Sequence, residues 1–169
     1  MKIAVIGYSG SGKSTLARAL AEKYRSAVLH LDSVHFLPNW EEREKEEEKK
    51  IVSNFLDRHE DWVIDGNYTK LSYERRLEEA DQIIVMLFNR FHCLVRVTKR
   101  YFRYRHSTRP DMAVGCHEKL DREFVVWVLW KGRSKKARSR YRDAIKTYPE
   151  KVTVLKNQRQ LEAFYKRLK

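Results

Sequence analysis

Short apolar runs alternate along the chain with longer stretches in which apolar residues recur every three or four positions. Short runs rich in β-branched residues are typical of buried strands, and the periodic stretches are typical of helices that bury one face. The runs predict five strands, at Lys2–Ile6, Ala27–Leu31, Trp62–Asp65, Gln82–Phe88 and Lys151–Leu155. Because helical stretches separate them, the strands are expected to pair in parallel. The pattern therefore predicts an α/β fold, a five-stranded parallel sheet flanked by helices in three layers.

The segments between the strands differ in character. After the first strand, Leu16, Leu20 and Tyr24 recur at four-residue spacing, which predicts a helix with one apolar stripe facing the sheet. Glu41–Lys50 contains no apolar residue, so it predicts an exposed helix supported by ion pairs between successive turns. It belongs to a small insertion of about residues 33–60 between the second and third strands. Since no linker-like segment interrupts the pattern, residues 1–169 are expected to form a single domain.

The composition is that of a globular chain. The 169 residues are 42% hydrophobic and 12% aromatic, enough for one domain to bury a core. Cys93 and Cys116 lack the spacing of a metal site, and two such thiols are typically reduced, which predicts a cytoplasmic location. No apolar run approaches the ~20 residues of a membrane span, so no membrane partner is expected.

The charge is distributed unevenly along the chain. The net charge is +13, but residues 1–84 carry 13 basic and 16 acidic residues, whereas residues 85–169 carry 23 and 7. Two stretches, Arg90–Arg109 and Lys131–Arg142, each hold seven basic residues and no acidic one. A polyanion or a phosphate-rich ligand is the natural partner of such a surface, and a solvated helix face is the alternative.

The first chemical motif lies between the first strand and the first helix. The stretch GYSGSGKST fits the phosphate-binding pattern G-x-x-x-x-G-K-[ST], in which glycines let backbone amides approach a phosphate and the helix N-terminus adds a positive dipole. Lys13 is expected to neutralise the β- and γ-phosphates, and Ser14 to contact Mg²⁺. A turn that only connects strand and helix is the alternative. The predicted nucleotide-binding residues of the loop are Gly7, Ser9, Gly10, Ser11, Gly12, Lys13, Ser14 and Thr15.

Two aspartates are predicted at the carboxyl edge of the sheet, where open α/β sheets bind ligands. Asp32 follows the second strand in HLDSVHF, where it would orient an acceptor hydroxyl or hold a magnesium-bound water. Asp65 ends the third strand in WVIDGNY, at the position expected for a carboxylate that contacts Mg²⁺ beside a nucleotide. Either aspartate could instead cap a helix. We therefore predict that Lys13 and Asp32 are catalytic and that Ser14 and Asp65 are metal ligands.

Arginines crowd the second half of the chain. On a helix that spans them, Arg96, Arg100 and Arg103 are predicted to share one face. Several guanidiniums suit a phosphoryl group in transfer, because its charge is spread over three equatorial oxygens. Because Arg96-x-x-x-Arg100 resembles the motif that leads into the lid of adenylate kinases, the segment of about residues 104–117 that follows is expected to form a lid over the site. Arg96 is thus a candidate nucleotide-binding residue, and Arg100 and Arg109 are candidate catalytic residues.

These motifs resemble those of small phosphate-transferring enzymes. The spacing G-x-x-G-x-G-K-S-T resembles that of nucleoside monophosphate kinases and shikimate kinase, and Arg96-x-x-x-Arg100 is similar to the motif that leads into the lid of adenylate kinases. No N-K-x-D or D-x-x-G motif is present, so a switch GTPase is not expected. Adenylate kinases also carry an arginine shortly after the glycine that follows the third strand, and DGNYTK has none. The resemblance therefore does not extend to a monophosphate as acceptor.

A more specific resemblance covers essentially the whole chain. GYSGSGKST, LDSVHFLPNW, WVIDGNY and TRPDMAVGC together resemble the bacterial family of DNA topology modulation, or FlaR-related, proteins, which belongs to the adenylate-kinase-like P-loop group. The resemblance implies a P-loop nucleoside triphosphate hydrolase fold of the nucleoside monophosphate kinase type, with a lid. The residues of the family imply a kinase, whereas its name implies a link to DNA supercoiling.

Two functions from different classes follow. The first is a small-molecule kinase that transfers the γ-phosphoryl group of ATP–Mg²⁺ to an unidentified nucleoside, nucleotide or other metabolite. The second is a nucleotide-responsive DNA-binding protein affecting DNA topology, and weak non-specific nucleic-acid binding is expected in either case. The motifs favour the kinase, because they supply acceptor-side carboxylates and a lid but no groove-reading element. Trp127, Trp130 and Tyr141 could stack on bases, but their helical spacing favours positions in the core.

Overall fold

The structure is a computed structural model that describes residues 1–168 of the chain. Five parallel strands form one sheet in the order β2-β3-β1-β4-β5. The strands are β1 Lys2–Gly7, β2 Ala27–His30, β3 Trp62–Asp65, β4 Gln82–Met86 and β5 Val152–Leu155. The predicted fold class is confirmed, and β1 lies at the centre of the sheet, so the loop that follows it opens at the middle of the carboxyl edge.

Helices connect the strands and cover both faces of the sheet. Their bounds are α1 Lys13–Tyr24, α2 Leu31–His35, α3 Lys45–Arg58, α4 Tyr73–Glu79, α5 Arg90–Tyr104, α6 Arg122–Leu129, α7 Lys135–Thr147 and α8 Gln158–Leu168. Short polar side chains cap three of them: Asn89 caps α5, Asp121 caps α6 and Ser134 caps α7. Within residues 1–168, no helix combines the length and the apolar character that crossing a membrane requires.

The core consists of two layers, one on each face of the sheet. Ile3 and Val5 of β1 face the layer that holds buried residues of α1, α5, α6 and α8. Ala4 and Ile6 face the opposite layer, which holds buried residues of α2, α3, α4 and α7. Alternate residues of a strand point to opposite faces, so a strand covered on both sides is apolar throughout, as the sequence of β1 is. The rigid sheet fixes the positions of the loops at its carboxyl edge.

The element boundaries differ from the predicted ones at the acceptor-side insertion. β2 ends at His30, and Asp32 lies in the first turn of α2 and not at the end of the strand. The acidic stretch is only partly helical, because α3 begins at Lys45 after Glu44, whose side chain accepts a hydrogen bond from the amide of Glu47. Its predicted exposure is wrong at Glu48, which is 5% exposed because it faces the His35 side chain.

Candidate active site

The loop after β1 has a backbone that only glycine adopts without strain. Gly10 and Gly12 have φ of 77° and 96°, in the left-handed region. A Cβ on Gly10 would lie 2.7 Å from Cγ1 of Val97 and 2.8 Å from the carbonyl oxygen of Cys93, so the loop also packs too closely on α5 for a side chain. The glycines therefore hold the loop against the protein and leave its open side to a ligand.

The N-terminus of α1 points its backbone amides into this loop. Gly12 occupies the capping position, and no side chain caps the helix there. Uncapped amides at a helix N-terminus attract anions, phosphate above all. The hydroxyl of Ser11 is fully buried in the loop and has no hydrogen-bond partner in residues 1–168. Both features leave donors for a bound anion.

Lys13 lies within the loop and does not extend into solvent. Its Nζ donates a hydrogen bond to the carbonyl oxygen of Tyr8 at 3.1 Å. Burial lowers the pKa of Lys13, and the charges of Asp32 and Asp65 oppose that effect. The ammonium group is therefore incompletely compensated, and an added anion would stabilise its charged form. Thr15, by contrast, is exposed.

Asp65 joins the loop to the end of β3. The hydroxyl of Ser14 donates to Oδ2 of Asp65 at 2.9 Å, and this carboxylate is 4% exposed. The predicted pair of metal ligands is thus brought together. A hydroxyl and a carboxylate are oxygen ligands of the kind that Mg²⁺ accepts, and Mg²⁺ commonly completes its shell with phosphate oxygens and water. Residues 1–168 contain no group of three or more His, Cys, Asp or Glu side chains that could hold a metal ion by themselves.

His30 is a member of this site that the sequence analysis did not identify. It is the last residue of β2, its Cα pairs with that of Asp65 in the parallel register, and its Nδ1 contacts Oδ1 of Asp65. Burial opposes protonation, but the hydrogen bond and charge of Asp65 outweigh it and raise the pKa of His30. The sequence contained a signal for this contact. His30 and Asp65 end two predicted strands, and parallel strands that end at the same edge of a sheet bring their last residues together.

Asp32 faces the opposite side of the cleft, toward the insertion. Its Oδ1 accepts a hydrogen bond from the hydroxyl of Tyr68 at 2.9 Å. Burial and the neighbouring charge of Asp32 raise the pKa of Tyr68. The Tyr68 ring also packs on His35, with centroids 4.9 Å apart, and Nδ1 of His35 lies 2.6 Å from Oε1 of Glu48. Asp32 is thus held by Tyr68 of the loop after β3, which in turn packs on His35 of α2 beside Glu48 of α3.

The three predicted arginines of α5 differ in exposure. Arg96 and Arg100 are partly buried, whereas Arg103, which shares their side of the helix, is exposed close to the C-terminal end of α5. Nη1 of Arg96 donates to the carbonyl oxygen of Ser11 at 3.0 Å, and its guanidinium lies 4.6 Å from the centroid of the Phe88 ring. Arg96 borders an open cavity of about 250 Å³ that is lined by Phe88, His92, Val95, Arg96, Lys99 and Gln158.

Arg100 and Arg109 meet at a single carboxylate. Nε of Arg100 donates to Oε2 of Glu118 at 3.0 Å, and Nε of Arg109 contacts Oε1 of the same residue. Nη1 of Arg109 donates to Asp111 at 2.7 Å. Arg109, Asp111 and Glu118 are each less than 9% exposed. The structure thus brings the two predicted arginines together, along with two acids that the sequence analysis did not single out.

The segment of residues 104–117 rests on the insertion. The indole Nε1 of Trp40 donates to the carbonyl oxygen of His117 at 2.9 Å, and Sγ of Cys116 lies 3.2 Å from the carbonyl oxygen of Leu37. Gly115, with φ of 85°, packs beside Pro38. The segment has no helix longer than a turn, and it bridges the space between α5 and the insertion. These contacts join the predicted lid, called the covering segment below, to the insertion.

Two tryptophans next to the loop are at the surface. Trp127 and Trp130 are 47% and 57% exposed, so the predicted core position is wrong for both, while Tyr141 is 3% exposed as predicted. The exposure follows from helix phase, since α6 buries Val128 and Leu129. Nε1 of Trp127 donates to the hydroxyl of Ser9 at 3.2 Å, which ties α6 to the glycine loop.

Comparison with solved structures shows the same fold in distant proteins. TT1252 from Thermus thermophilus has 18% identity and a TM-score of 0.53, covering 100% of this chain and 98% of that one. An uncharacterized protein from Eubacterium ventriosum has 17% identity and a TM-score of 0.51, covering 99% and 98%. A shikimate kinase from Bacteroides thetaiotaomicron has 15% identity and a TM-score of 0.47, covering 99% and 96%. The first two structures, at these identities, show a likeness of fold alone, and no conclusion rests on the third.

Sequence comparison is informative for the family. Curated protein sequences gave no match. A family model described as an AAA domain matches residues 3–125, which is more than half of the chain and includes the glycine loop, Asp65 and the arginines of α5. The chain, with a phosphate-binding loop on a parallel sheet, therefore belongs to the AAA domain family.

Proposed function

We propose that this protein is an ATP-dependent kinase that transfers a phosphoryl group to a small hydroxyl-bearing acceptor. The observation that carries the proposal is the hydrogen bond between Ser14 and Asp65, which joins the glycine loop to the end of β3. In P-loop enzymes the loop hydroxyl contacts Mg²⁺, and a carboxylate on a neighbouring strand supports it. The AAA domain match supports a P-loop nucleotide-binding protein, and the acceptor-side groups favour transfer over simple hydrolysis.

The nucleotide would lie along the carboxyl edge of the sheet. Amides of the glycine loop and the N-terminus of α1 would bind the phosphates, with Lys13 neutralising their charge. The cavity beside Arg96 and Phe88 offers a cation and an aromatic ring to the base. Ser14 and Asp65 would hold Mg²⁺, which supplies charge neutralisation on the phosphate oxygens when bound.

The acceptor would lie between Asp32 and the covering segment. Asp32 accepts a hydrogen bond from Tyr68, so one of its oxygens is held in place and the other can accept one from an acceptor hydroxyl. A carboxylate in this role positions the nucleophile and takes its proton. Arg100 and Arg109 would approach the phosphoryl oxygens from the cover, as the developing charge of phosphoryl transfer requires.

The proposal is tested by ADP release from ATP–Mg²⁺ in the presence of separate nucleosides, nucleoside monophosphates and small hydroxy acids. A kinase releases ADP faster with one acceptor class than without any, and that acceptor is recovered phosphorylated. The Asp65→Asn protein is the control, because it should need more Mg²⁺ to reach the same rate. ADP release that no acceptor accelerates would contradict the proposal.

A second candidate function is nucleotide-responsive DNA binding. It is favoured by the surface of α6 and α7, where the exposed Trp127 and Trp130 lie near the exposed cations Lys135, Lys136 and Arg138. Exposed aromatic rings among cations suit stacking on unpaired bases together with phosphate contacts. We rank this function below the kinase, because it gives no role to Asp32 or to the segment of residues 104–117.

A further inference from the structure

The cluster of Arg100, Arg109, Asp111 and Glu118 is unusual because it is made only of charged groups, although three of the four are buried and Arg100 is partly buried. Each oxygen of Glu118 is directed to a different arginine, one on α5 and one in the covering segment. Asp111 binds the far side of Arg109. Removing one partner from such a buried network leaves a charge uncompensated, so its members hold one another in a fixed arrangement.

Glu118 allows the two positively charged side chains of Arg100 and Arg109 to lie close together, because its carboxylate contacts both. Burial lowers the pKa of Arg100, and the nearby charge of Arg109 lowers it further, while Glu118 opposes both effects. The two guanidiniums therefore repel each other across a space that the carboxylate of Glu118 bridges. Without that carboxylate, the arginines would separate and the end of α5 would lose its link to the covering segment.

The cluster also lies beside the phosphate loop. Nη1 of Arg96 donates to the carbonyl oxygen of Ser11 at 3.0 Å, and a Cβ on Gly10 would lie 2.7 Å from Cγ1 of Val97, so α5 packs directly on that loop. Arg100 lies one helical turn after Arg96 on the same side of α5. Two cations held side by side at this place are suited to the spread charge of a phosphoryl group in transfer.

We propose that Glu118 is a positioning residue that holds Arg100 and Arg109 together in the geometry that binds the transferred phosphoryl group. The proposal rests on the proposed kinase function. Glu118 touches no substrate in this role and acts through the two arginines, which it preorganises before the reaction. The opposite role, in which Glu118 withholds the arginines from the phosphates, predicts the opposite response to its removal.

The experiment compares binding of ADP–Mg²⁺ alone with binding of ADP–Mg²⁺ plus tetrafluoroaluminate, a mimic of the phosphoryl group in transfer, by calorimetry. Glu118→Gln keeps the shape and removes the charge. We expect it to change the ADP affinity by about twofold or less and to weaken the tetrafluoroaluminate complex by roughly 10-fold or more, as a lost preorganised contact does. Glu123→Gln, an exposed change on α6, is the matched control and should change neither.

A double variant separates positioning from general stability. If Glu118 acts through the arginines, adding Glu118→Gln to Arg100→Ala should weaken binding of the mimic little beyond the effect of Arg100→Ala alone. The losses of residues that belong to one network are smaller together than their sum. Should Glu118→Gln fail to fold, Glu118→Asp keeps the charge on a shorter side chain. It should weaken binding of the mimic without changing the affinity for ADP–Mg²⁺.

The outcomes are distinct. An unchanged ratio of the two affinities, additive single and double changes, or tighter binding of the mimic by Glu118→Gln would each overturn the role of Glu118. A wild-type protein that binds no ADP–Mg²⁺ would contradict the proposed function itself, and with it the role that depends on it.

Discussion

Asp65 is the side chain on which the phosphate-binding edge of the sheet converges. Ser14 and His30 reach its two oxygens from α1 and β2, so three elements meet at one carboxylate. The sequence predicted Ser14 and Asp65 because a motif and a strand end mark them. It did not predict His30 or Glu118, because His30 meets Asp65 and Glu118 meets Arg100 only through the fold, at separations of 35 and 18 residues. Asp111 lies two residues from its partner Arg109, but no motif marks that pair.

At the same scale, Lys13→Ala tests the loop. The change removes the ammonium group of the loop, and the fold should persist because the side chain of Lys13 makes a single hydrogen bond within the described part of the chain, to the carbonyl oxygen of Tyr8. We expect ATP affinity to fall by roughly 10-fold or more, since charge-assisted bonds are worth about 1.5–3 kcal/mol. Calorimetric titration of ATP into both proteins measures the difference. Equal affinities would remove the loop from the mechanism.

The two aspartates are predicted to differ in their effects. Asp32→Asn should leave ATP affinity nearly intact and slow transfer by roughly 100-fold, as for the loss of a general base. Asp65→Asn should raise the Mg²⁺ concentration needed for half-maximal rate, since it weakens the proposed metal ligand. Steady-state rates over a series of Mg²⁺ concentrations separate the two. Wild-type rates for both variants would refute these assignments.

Among the elements, the strands were the most predictable and the helix starts the least. β-Branched runs covered on both faces leave few alternatives for β1 and β3, and their bounds agree with prediction to within one residue. Asp32 was misplaced for a different reason. The short helix α2 begins directly after β2, so an error of one residue in the predicted strand end moves the aspartate into another element.

The glycine loop gives an element-scale prediction that separates two sources of strain. Gly10→Ala and Gly115→Ala both place a side chain at positive φ, but only Gly10 also meets backbone atoms, whereas the nearest atom to Gly115 is 3.6 Å away. We expect the free energy of unfolding to fall by about 1–2 kcal/mol for Gly115→Ala, the cost of the left-handed conformation. Gly10→Ala should cost more and should also weaken ATP binding. Urea denaturation measures both, and equal costs would contradict the close packing of the loop on α5.

For the molecule as a whole, the charge division along the chain predicts how nucleic acid binds. Each phosphate contact should contribute a slope of about −0.9 to the plot of log affinity against log salt. We expect weak binding that is steep in salt and unaffected by ATP, and replacement of Lys135, Lys136 and Arg138 by glutamine should reduce it without changing transfer. Filter binding over a salt series measures the slope. Tight binding that persists at ~200 mM salt and responds to ATP would favour the DNA-binding function.

The proposed cover bears on whether the phosphate goes to water or to an acceptor. The bond from Trp40 to His117 and the contact of Cys116 with Leu37 join the insertion to the covering segment, and a cover held in this way would exclude solvent from the cleft. Trp40→Phe keeps the aromatic contact with Phe36 and removes the indole donor. We expect this variant to hydrolyse ATP faster in the absence of acceptor while its transfer rate changes little, as paired assays of phosphate release and ADP release would reveal. The fidelity of the reaction would then depend in part on an indole N–H between the two segments, outside the groups proposed to perform the chemistry.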